Sequence, residues 1–299
     1  MDSIQSFYKN KRVLVTGGAG FIGSHLVEKL VNLGAQVTVL DNFSSGVLTN
    51  LKSVVGDIFV IYGDVRSAYT CLKATENKDI VFHLASFVSV PQSIVDPITC
   101  YNINVNGTNN ILEGCRKNAV KAFVFSTSSA VYGDKDGVSC EDDSLNPTSP
   151  YAISKVKGEE ACKLYATNFA MNIACLRYFN VYGERQKING PYAAVVATFT
   201  QQLKTNQTLT IYGDGKQTRD FIHVSRVVDA NILVATKSSL QGDIFNIASG
   251  KSMNLLQLIE TLKKDLCVQQ NDTSFMPARQ GDIVHSQASI KKYTTLANS

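Results

Sequence analysis

No apolar run among the 299 residues approaches the roughly 18 needed to cross a bilayer, and Met1 to Phe7 carry no basic stretch ahead of an apolar one. A cytoplasmic protein with no membrane partner is therefore expected. Cysteine lacks a pattern: Cys71, Cys100, Cys115, Cys140, Cys162, Cys175 and Cys267 are odd in number and never form C-x-x-C. They read as reduced thiols, not as staples or ligands. His25, His83, His223 and His285 lack metal-ligand spacing, so no metal site is expected. A formal charge of +4 with no basic run interleaved with aromatics argues against nucleic acid as a partner. What is present is 44% hydrophobic residues, enough at this length for one large α/β domain or two smaller ones.

The most informative stretch runs from Val13 to Gly23. A β-prone run, Val13 to Val15, meets a glycine cluster that opens a helical pattern with Phe21, Ile22, Leu26, Val27, Leu30 and Val31 on one face. Gly18, Gly20 and Gly23 fit G-x-G-x-x-G, and Gly17, Gly20 and Gly23 fit G-x-x-G-x-x-G. Residues without Cβ let a pyrophosphate approach both backbone and helix N-terminus. Taken alone, the spacing also suits a strand-to-helix turn that holds nothing.

A second strand, Gln36 to Leu40, ends at Asp41. A carboxylate about 20 residues beyond the glycines accepts hydrogen bonds from ribose hydroxyls and repels a 2′-phosphate, which argues for NAD over NADP. The alternative is that it caps the turn from Asp41 to Gly46. Further strands are expected over 58–62, ending at Gly63-Asp64-Val65 where Asp64 could reach an adenine, over 79–85, ending in small residues, and over 122–126. Helical patterns over roughly 67–75 and 98–118 separate them. The alternation predicts a Rossmann-like, doubly wound parallel sheet with ligands at the carboxyl ends of its strands.

Two later stretches carry chemistry. Ser126 to Gly133 packs hydroxyls at the end of the fifth strand, and Tyr151-Ala152-Ile153-Ser154-Lys155 reads as a helix start. Tyr151 and Lys155, four apart, share a helix face. An ammonium beside a phenol favours phenolate, so Tyr151 could serve as a base near neutral pH, with a serine opposite to share the proton.

In this order, the motifs resemble the extended short-chain dehydrogenases/reductases, and within them the nucleotide-sugar 4-epimerases. Contributing stretches are Thr16 to Gly23, Asp41 to Gly46, Gly63-Asp64, His83-Leu84-Ala85, Asn104 to Thr108, Ser126 to Gly133, Tyr151 to Lys155, Arg177 to Gly183, Arg219 to Val224 and Arg279 to Asp282. The resemblance implies that Tyr151 is the catalytic base, that Lys155 lowers its pKa and binds the nicotinamide ribose, and that Ser128 hydrogen-bonds the reacting hydroxyl. It implies an NAD site lined by Gly17, Gly20, Phe21, Ile22, Gly23, Asp41, Asn42, Ser45, Gly46, Asp64, Val65, Leu84, Ala85, Ser86, Asn104, Ser126, Tyr151, Lys155 and Tyr178. For a UDP-sugar it implies Ser89, Ser128, Ser129, Tyr151, Asn180, Ala194, Val195, Thr210, Ile211, Tyr212, Arg219, Arg279, Asp282 and Ser286. The helix expected from Tyr192 to Val196 would seat a diphosphate at its N-terminus, and Arg219 and Arg279 would clamp it.

By the same resemblance, residues 1–178 with 220–249 form the NAD-binding domain. A smaller α/β substrate lobe comprises 179–219 with 250–299, and it is shorter at its C-terminal end than in relatives that continue into a further helix. A homodimer pairing the helices near 98–118 and 150–170 is also implied. Dehydratases and decarboxylases on this scaffold carry carboxylates after the fifth strand, where this chain has Ser-Thr-Ser-Ser-Ala-Val-Tyr. That favours 4-epimerisation over another NAD-dependent nucleotide-sugar oxidoreductase or decarboxylase, or a non-catalytic NAD-binding protein. Seven residues past Arg279 stands Ser286, where a tyrosine in relatives crowds out an N-acetyl group. With Ser89 to Ile94, this points to interconversion of UDP-GlcNAc and UDP-GalNAc, and UDP-Glc and UDP-Gal remain open.

Overall fold

The computed structural model describes residues 2–187, 195–268, 272–277 and 285–299. Strands and helices alternate as α1 (Asp2–Tyr8), β1 (Arg12–Thr16), α2 (Phe21–Asn32), β2 (Gln36–Asp41), β3 (Ile58–Tyr62), α3 (Ala68–Ala74), β4 (Ile80–His83), α4 (Val90–Val95), α5 (Pro97–Tyr101), α6 (Gly107–Lys117), β5 (Ala122–Ser128), α7 (Pro150–Phe169) and β6 (Ile173–Tyr178). There follow β7 (Val181–Tyr182), α8 (Val195–Lys204), β8 (Leu209–Tyr212), β9 (Thr218–Asp220), β10 (Ile222–His223), α9 (Val224–Val234), β11 (Gln241–Ile247), β12 (Ser252–Asn254), α10 (Leu255–Leu266), β13 (Thr273–Met276) and α11 (Lys291–Asn298).

Seven strands form one parallel sheet in the order β3-β2-β1-β4-β5-β6-β11. Chain direction across the sheet reverses between β1 and β4, and that reversal opens a crevice at the strands' carboxyl ends. Apolar runs such as Val13, Leu14 and Val15 suit a strand covered on both faces. Val13 and Val15 pack under α2 and α9, while Leu14 joins Phe123, Phe125 and Ile111 on the opposite face. A separate cluster of Val196, Phe199, Leu203, Leu209, Ile211, Leu255, Leu258 and Ile259 joins α8, β8 and α10. The last helix, α11, packs against β11 and α9, with Tyr293 and Leu296 on the sheet's core.

The five strands expected from the sequence are β1 to β5. Two more, β6 and β11, complete the sheet without a matching sequence signal. In β6 every residue is buried, Arg177 included, and a charge inside a buried run hides the strand pattern. β11 starts on an exposed glutamine and has a register shift between Gln241 and Asp243. The helix expected over 98–118 is divided into α5, a π-turn over Asn102–Asn106, and α6. A π-turn widens the helix locally and recurs at functional sites. Here it buries Asn104.

Candidate active site

The β1–α2 turn packs backbone against backbone so closely that only glycine fits at two of its positions. Gly17 has φ +68°, and a Cβ there would lie 2.7 Å from the Ala85 amide nitrogen. A Cβ on Gly23 would lie 2.2 Å from the Gly17 carbonyl oxygen. Helix α2 is N-capped by Gly20 with no side-chain cap hydrogen bond, and Gly20 N donates to the Gly17 carbonyl at 3.1 Å, so the first-turn N–H groups of Phe21 and Ile22 have no side-chain cap and suit an anion.

Asp41 ends β2, and its carboxylate accepts from Ala19 N at 2.9 Å and Phe43 N at 2.8 Å. It therefore does cap the following turn, and in doing so ties that turn to the glycine loop. A carboxylate retains acceptor positions beyond those two, so the ribose role stays open to it. Gly46 packs against Ala19, and Ser45 is exposed beside it. Asn42 donates to Asp64 at 2.8 Å. Asp64 also accepts from the Arg66 backbone and from both guanidinium arms, and this pairing, after a smaller opposing push from burial, holds its carboxyl down at about 2. Arg66 had no signal in the sequence beyond its nearness to Asp64. Val65 is buried against Gly107.

Helix α7 places the catalytic candidates. Pro150 opens it, Ser149 Oγ accepts from Ala152 N, and Ser93 Oγ accepts from Tyr151 N at 3.1 Å. The first-turn donors are thus satisfied, and the Tyr151 backbone is pinned from α4. Four residues on, Lys155 Nζ donates to the Ser126 carbonyl at 2.9 Å and lies 5.8 Å from the centre of the Tyr151 ring. Both side chains are buried. Ser128 ends β5, accepts from Ala130 N at 3.2 Å, and stands near enough to Tyr151 to favour its phenolate. Ser129 follows, partly exposed, in a short 3-10 turn.

Burial draws the Lys155 ammonium down to about 8. The same desolvation pushes the Tyr151 phenol up, and the nearby Ser128 hydroxyl only partly offsets it. The ammonium is turned toward Ser126, and both charged forms are costly in the same dry site.

Asn104 orders the wall beside them. Its amide donates to Ser154 Oγ at 2.9 Å and to the Phe87 carbonyl at 3.0 Å, and its oxygen accepts from Ser86 Oγ and Phe87 N. Ser93 and Ser154 therefore belong to the site's supports. Ser154 lies three residues past Tyr151 on the same helix, but its bond to Asn104 and that of Ser93 to Tyr151 join distant parts of the chain. Leu84 N and Ala85 N donate to the Thr16 carbonyl and hydroxyl.

Some expected residues are placed otherwise. Tyr178 is buried with its hydroxyl donating to Asn231 at 2.9 Å, so its side chain is committed to the core. Ser89 is the N-cap of α4, accepting from Gln92 N. Ile211 is fully buried in the core of α8, β8 and α10. Strand alternation puts only Thr210 and Tyr212 on the other face, which removes the Ile211 side chain from any substrate contact. Val195 begins α8, partly exposed. Asn180 donates to the Asp220 carbonyl at 3.0 Å, Arg219 donates to the Thr218 carbonyl, and Ser286 N donates to the Thr218 carbonyl at 3.1 Å. Ser286 and Arg219 thus meet on β9. Ala194, Arg279 and Asp282 lie outside the described residues.

A parallel sheet with a glycine cradle at its switch point, an acidic residue ending β2, and a Ser-Tyr-Lys group whose tyrosine and lysine are buried define a dinucleotide-dependent enzyme of the short-chain dehydrogenase/reductase type. Residues 13–248 match the NAD dependent epimerase/dehydratase family, and the chain belongs to it. NAD is its cofactor, and the glycine cradle and the Asp41 carboxylate fit that group.

Among curated relatives, a putative UDP-glucose 4-epimerase of Methanocaldococcus jannaschii is 36% identical across 95% of this chain and 92% of its own length. A UDP-N-acetyl-alpha-D-glucosaminuronate decarboxylase of Bacillus cytotoxicus is 37% identical across 84% and 79%. Among solved structures, the UDP-N-acetylglucosamine 4-epimerase of Methanobrevibacter ruminantium in complex with UDP-N-acetylmuramic acid is 38% identical, covers 97% of this chain and 92% of that one, and has a TM-score of 0.92. Among the described residues no helix is long and apolar enough to cross a membrane, and no His/Cys/Asp/Glu group could hold a metal ion.

Proposed function

We propose that this protein is an NAD-dependent 4-epimerase that interconverts UDP-GlcNAc and UDP-GalNAc. The observation that carries the reaction class is the segment Ser126 to Gly133, which puts hydroxyls and no carboxylate beside Tyr151. The nearest acid on α7, Glu159, is buried in a pair with Arg177 at 2.7 Å and is not free to move a proton. Dehydratases and decarboxylases on this scaffold carry an acid in that segment, and this chain has none there. Ser286 beside Arg219 supports the acetylated substrate, since a small side chain there leaves room for an N-acetyl group.

NAD, when bound, supplies the hydride acceptor and donor. Tyr151 takes the proton of the sugar's 4-hydroxyl, Ser128 holds that oxygen, and Lys155 supplies the positive charge that stabilises the phenolate. Once the keto sugar has presented its other face, Tyr151 returns the proton. The cofactor ends each cycle as it began.

The purified protein is expected to convert UDP-GlcNAc to UDP-GalNAc, measured by separating the product sugars, with no absorbance accumulating at 340 nm. Conversion of UDP-Glc with UDP-GlcNAc left untouched would sink the proposed specificity, and carbon dioxide release from a UDP-uronic acid would sink the class. In the same assay, Ser286→Tyr should lower kcat/KM for UDP-GlcNAc by about tenfold or more, one pocket misfit being worth roughly 1–3 kcal/mol, and spare UDP-Glc. Equal loss on both substrates would remove the gate.

A second copy of the chain is the proposed partner besides substrate. Packed together, α4, α5 and α7 leave Ile94, Val95, Ile98, Tyr101 and Ile153 exposed, an apolar surface of the kind that marks an interface. A solution mass of one chain at micromolar concentration would refute the dimer.

A further inference from the structure

His83 lies fully buried at the end of β4, its ring stacked at 5.9 Å on Phe125 and tilted at 6.1 Å toward Phe123. Nδ1 is 2.7 Å from Thr16 Oγ1, and Nε2 is 3.1 Å from Thr108 Oγ1. The partners fix the tautomer. The Thr108 hydroxyl donates to the Asn104 carbonyl at 2.6 Å, so its only proton is committed and it must accept from the imidazole. Nε2 therefore carries the hydrogen and Nδ1 is bare. Thr16 must then donate to Nδ1, which leaves its oxygen free to accept from Ala85 N at 3.1 Å.

We infer that His83 is a positioning residue of the NAD cradle, the centre of a one-directional chain from Ala85 N–H through Thr16, the imidazole and Thr108 to the Asn104 carbonyl. That chain is buried and joins β1, β4 and the π-turn beside the switch point. One end holds the wall formed by Leu84 and Ala85 against Gly17, where a Cβ would already collide with Ala85. The other end holds the π-turn whose Asn104 side chain fixes Ser86 and Phe87. A single neutral tautomer sets the spacing of both walls. Burial, with the Lys155 charge as a smaller contribution, keeps the imidazole neutral by drawing its pKa down to about 3. The inference rests on NAD as cofactor and is indifferent to which sugar is turned over.

The test uses the full-length protein with 15N-labelled histidine. Its nitrogen signals should report an Nε2–H tautomer for His83 that stays unchanged between about pH 5 and 9. An Nδ1–H tautomer or an imidazolium in that range overturns the chain. Thr108→Val and Thr16→Val keep the side-chain shape and each remove one link. Each should weaken NAD binding, measured by titration into NAD-stripped protein, by about ten- to a hundredfold, because a buried partner is left unsatisfied. His83→Phe keeps the aromatic stack, and Thr108→Val added to it should cost little more. Unchanged NAD affinity in the folded threonine variants would reduce His83 to a packing residue. Wild-type protein that takes up no NAD would instead undo the cofactor site itself.

Discussion

Tyr151→Phe is expected to fold normally, keep NAD and lose about 10²–10⁴-fold in kcat, the usual worth of a positioned proton-transfer group. Only the phenolic hydroxyl is removed, and the ring and its backbone bond to Ser93 remain. The pH profile gives a sharper reading. Burial raises the Tyr151 phenol and lowers the Lys155 ammonium to about 8, so at neutral pH the pair holds both protons. The first proton lost comes from the pair near pH 8. Phenol with amine and phenolate with ammonium contain the same number of protons, so the reactive arrangement belongs to this singly deprotonated state. kcat/KM should therefore rise with pH through about 8 and fall once the second proton leaves. Lys155→Met should remove that rise, because the remaining phenol then titrates alone and higher. A flat profile between pH 6 and 9 in the wild type, or a Tyr151→Phe variant with full turnover, would take Tyr151 out of the chemistry.

The cradle was legible in the sequence because each of its requirements is local. Glycines that would collide if they carried Cβ, a carboxylate at a strand end, and a tyrosine and lysine one helical turn apart all declare themselves by spacing. The supports of the site were not legible, because they are long-range. Ser93 reaches Tyr151 across 58 positions, Asn104 reaches Ser154 across 50, and Thr16 reaches His83 across 67. Nothing in a linear pattern joins such residues until the parallel sheet brings the carboxyl ends of its strands together. Nor could spacing show that Lys155 would turn to Ser126, or that the Ile211 side chain would enter a core, since both depend on which face of an element is covered.

Arg177→Leu is expected to destabilise the protein by about 3–5 kcal/mol, the usual result of breaking a buried charge pair by removing one partner. Arg177 is almost wholly buried and donates two hydrogen bonds to Glu159, at 3.0 and 2.7 Å, and a third to the Tyr132 hydroxyl at 2.8 Å. Burial alone would lower the guanidinium's pKa, but the Glu159 carboxylate outweighs it and the net direction is upward. The group spans the molecule: Thr127 of β5 donates to Glu159, and Tyr132 donates to Asn246 of β11, which holds the Ser139 carbonyl. Without Arg177, Glu159 would be a buried, unpaired carboxylate supported only by Thr127, a charge that is costly in a dry interior. The destabilisation should then shrink as the pH falls toward that of an ordinary carboxyl, because protonation removes the unpaired charge. Adding Glu159→Leu should recover much of the loss at neutral pH, since replacing a whole buried pair by apolar side chains is often near neutral. Denaturant midpoints for the single and double variants at two pH values decide the matter. Ser128 lies between Thr127 and the turn that ends in Tyr132, so the single variant should also lose more kcat than NAD affinity. Stability within about 1 kcal/mol of wild type, a change typical of ordinary substitutions, would mean that the pair neither holds the fold nor frames Ser128.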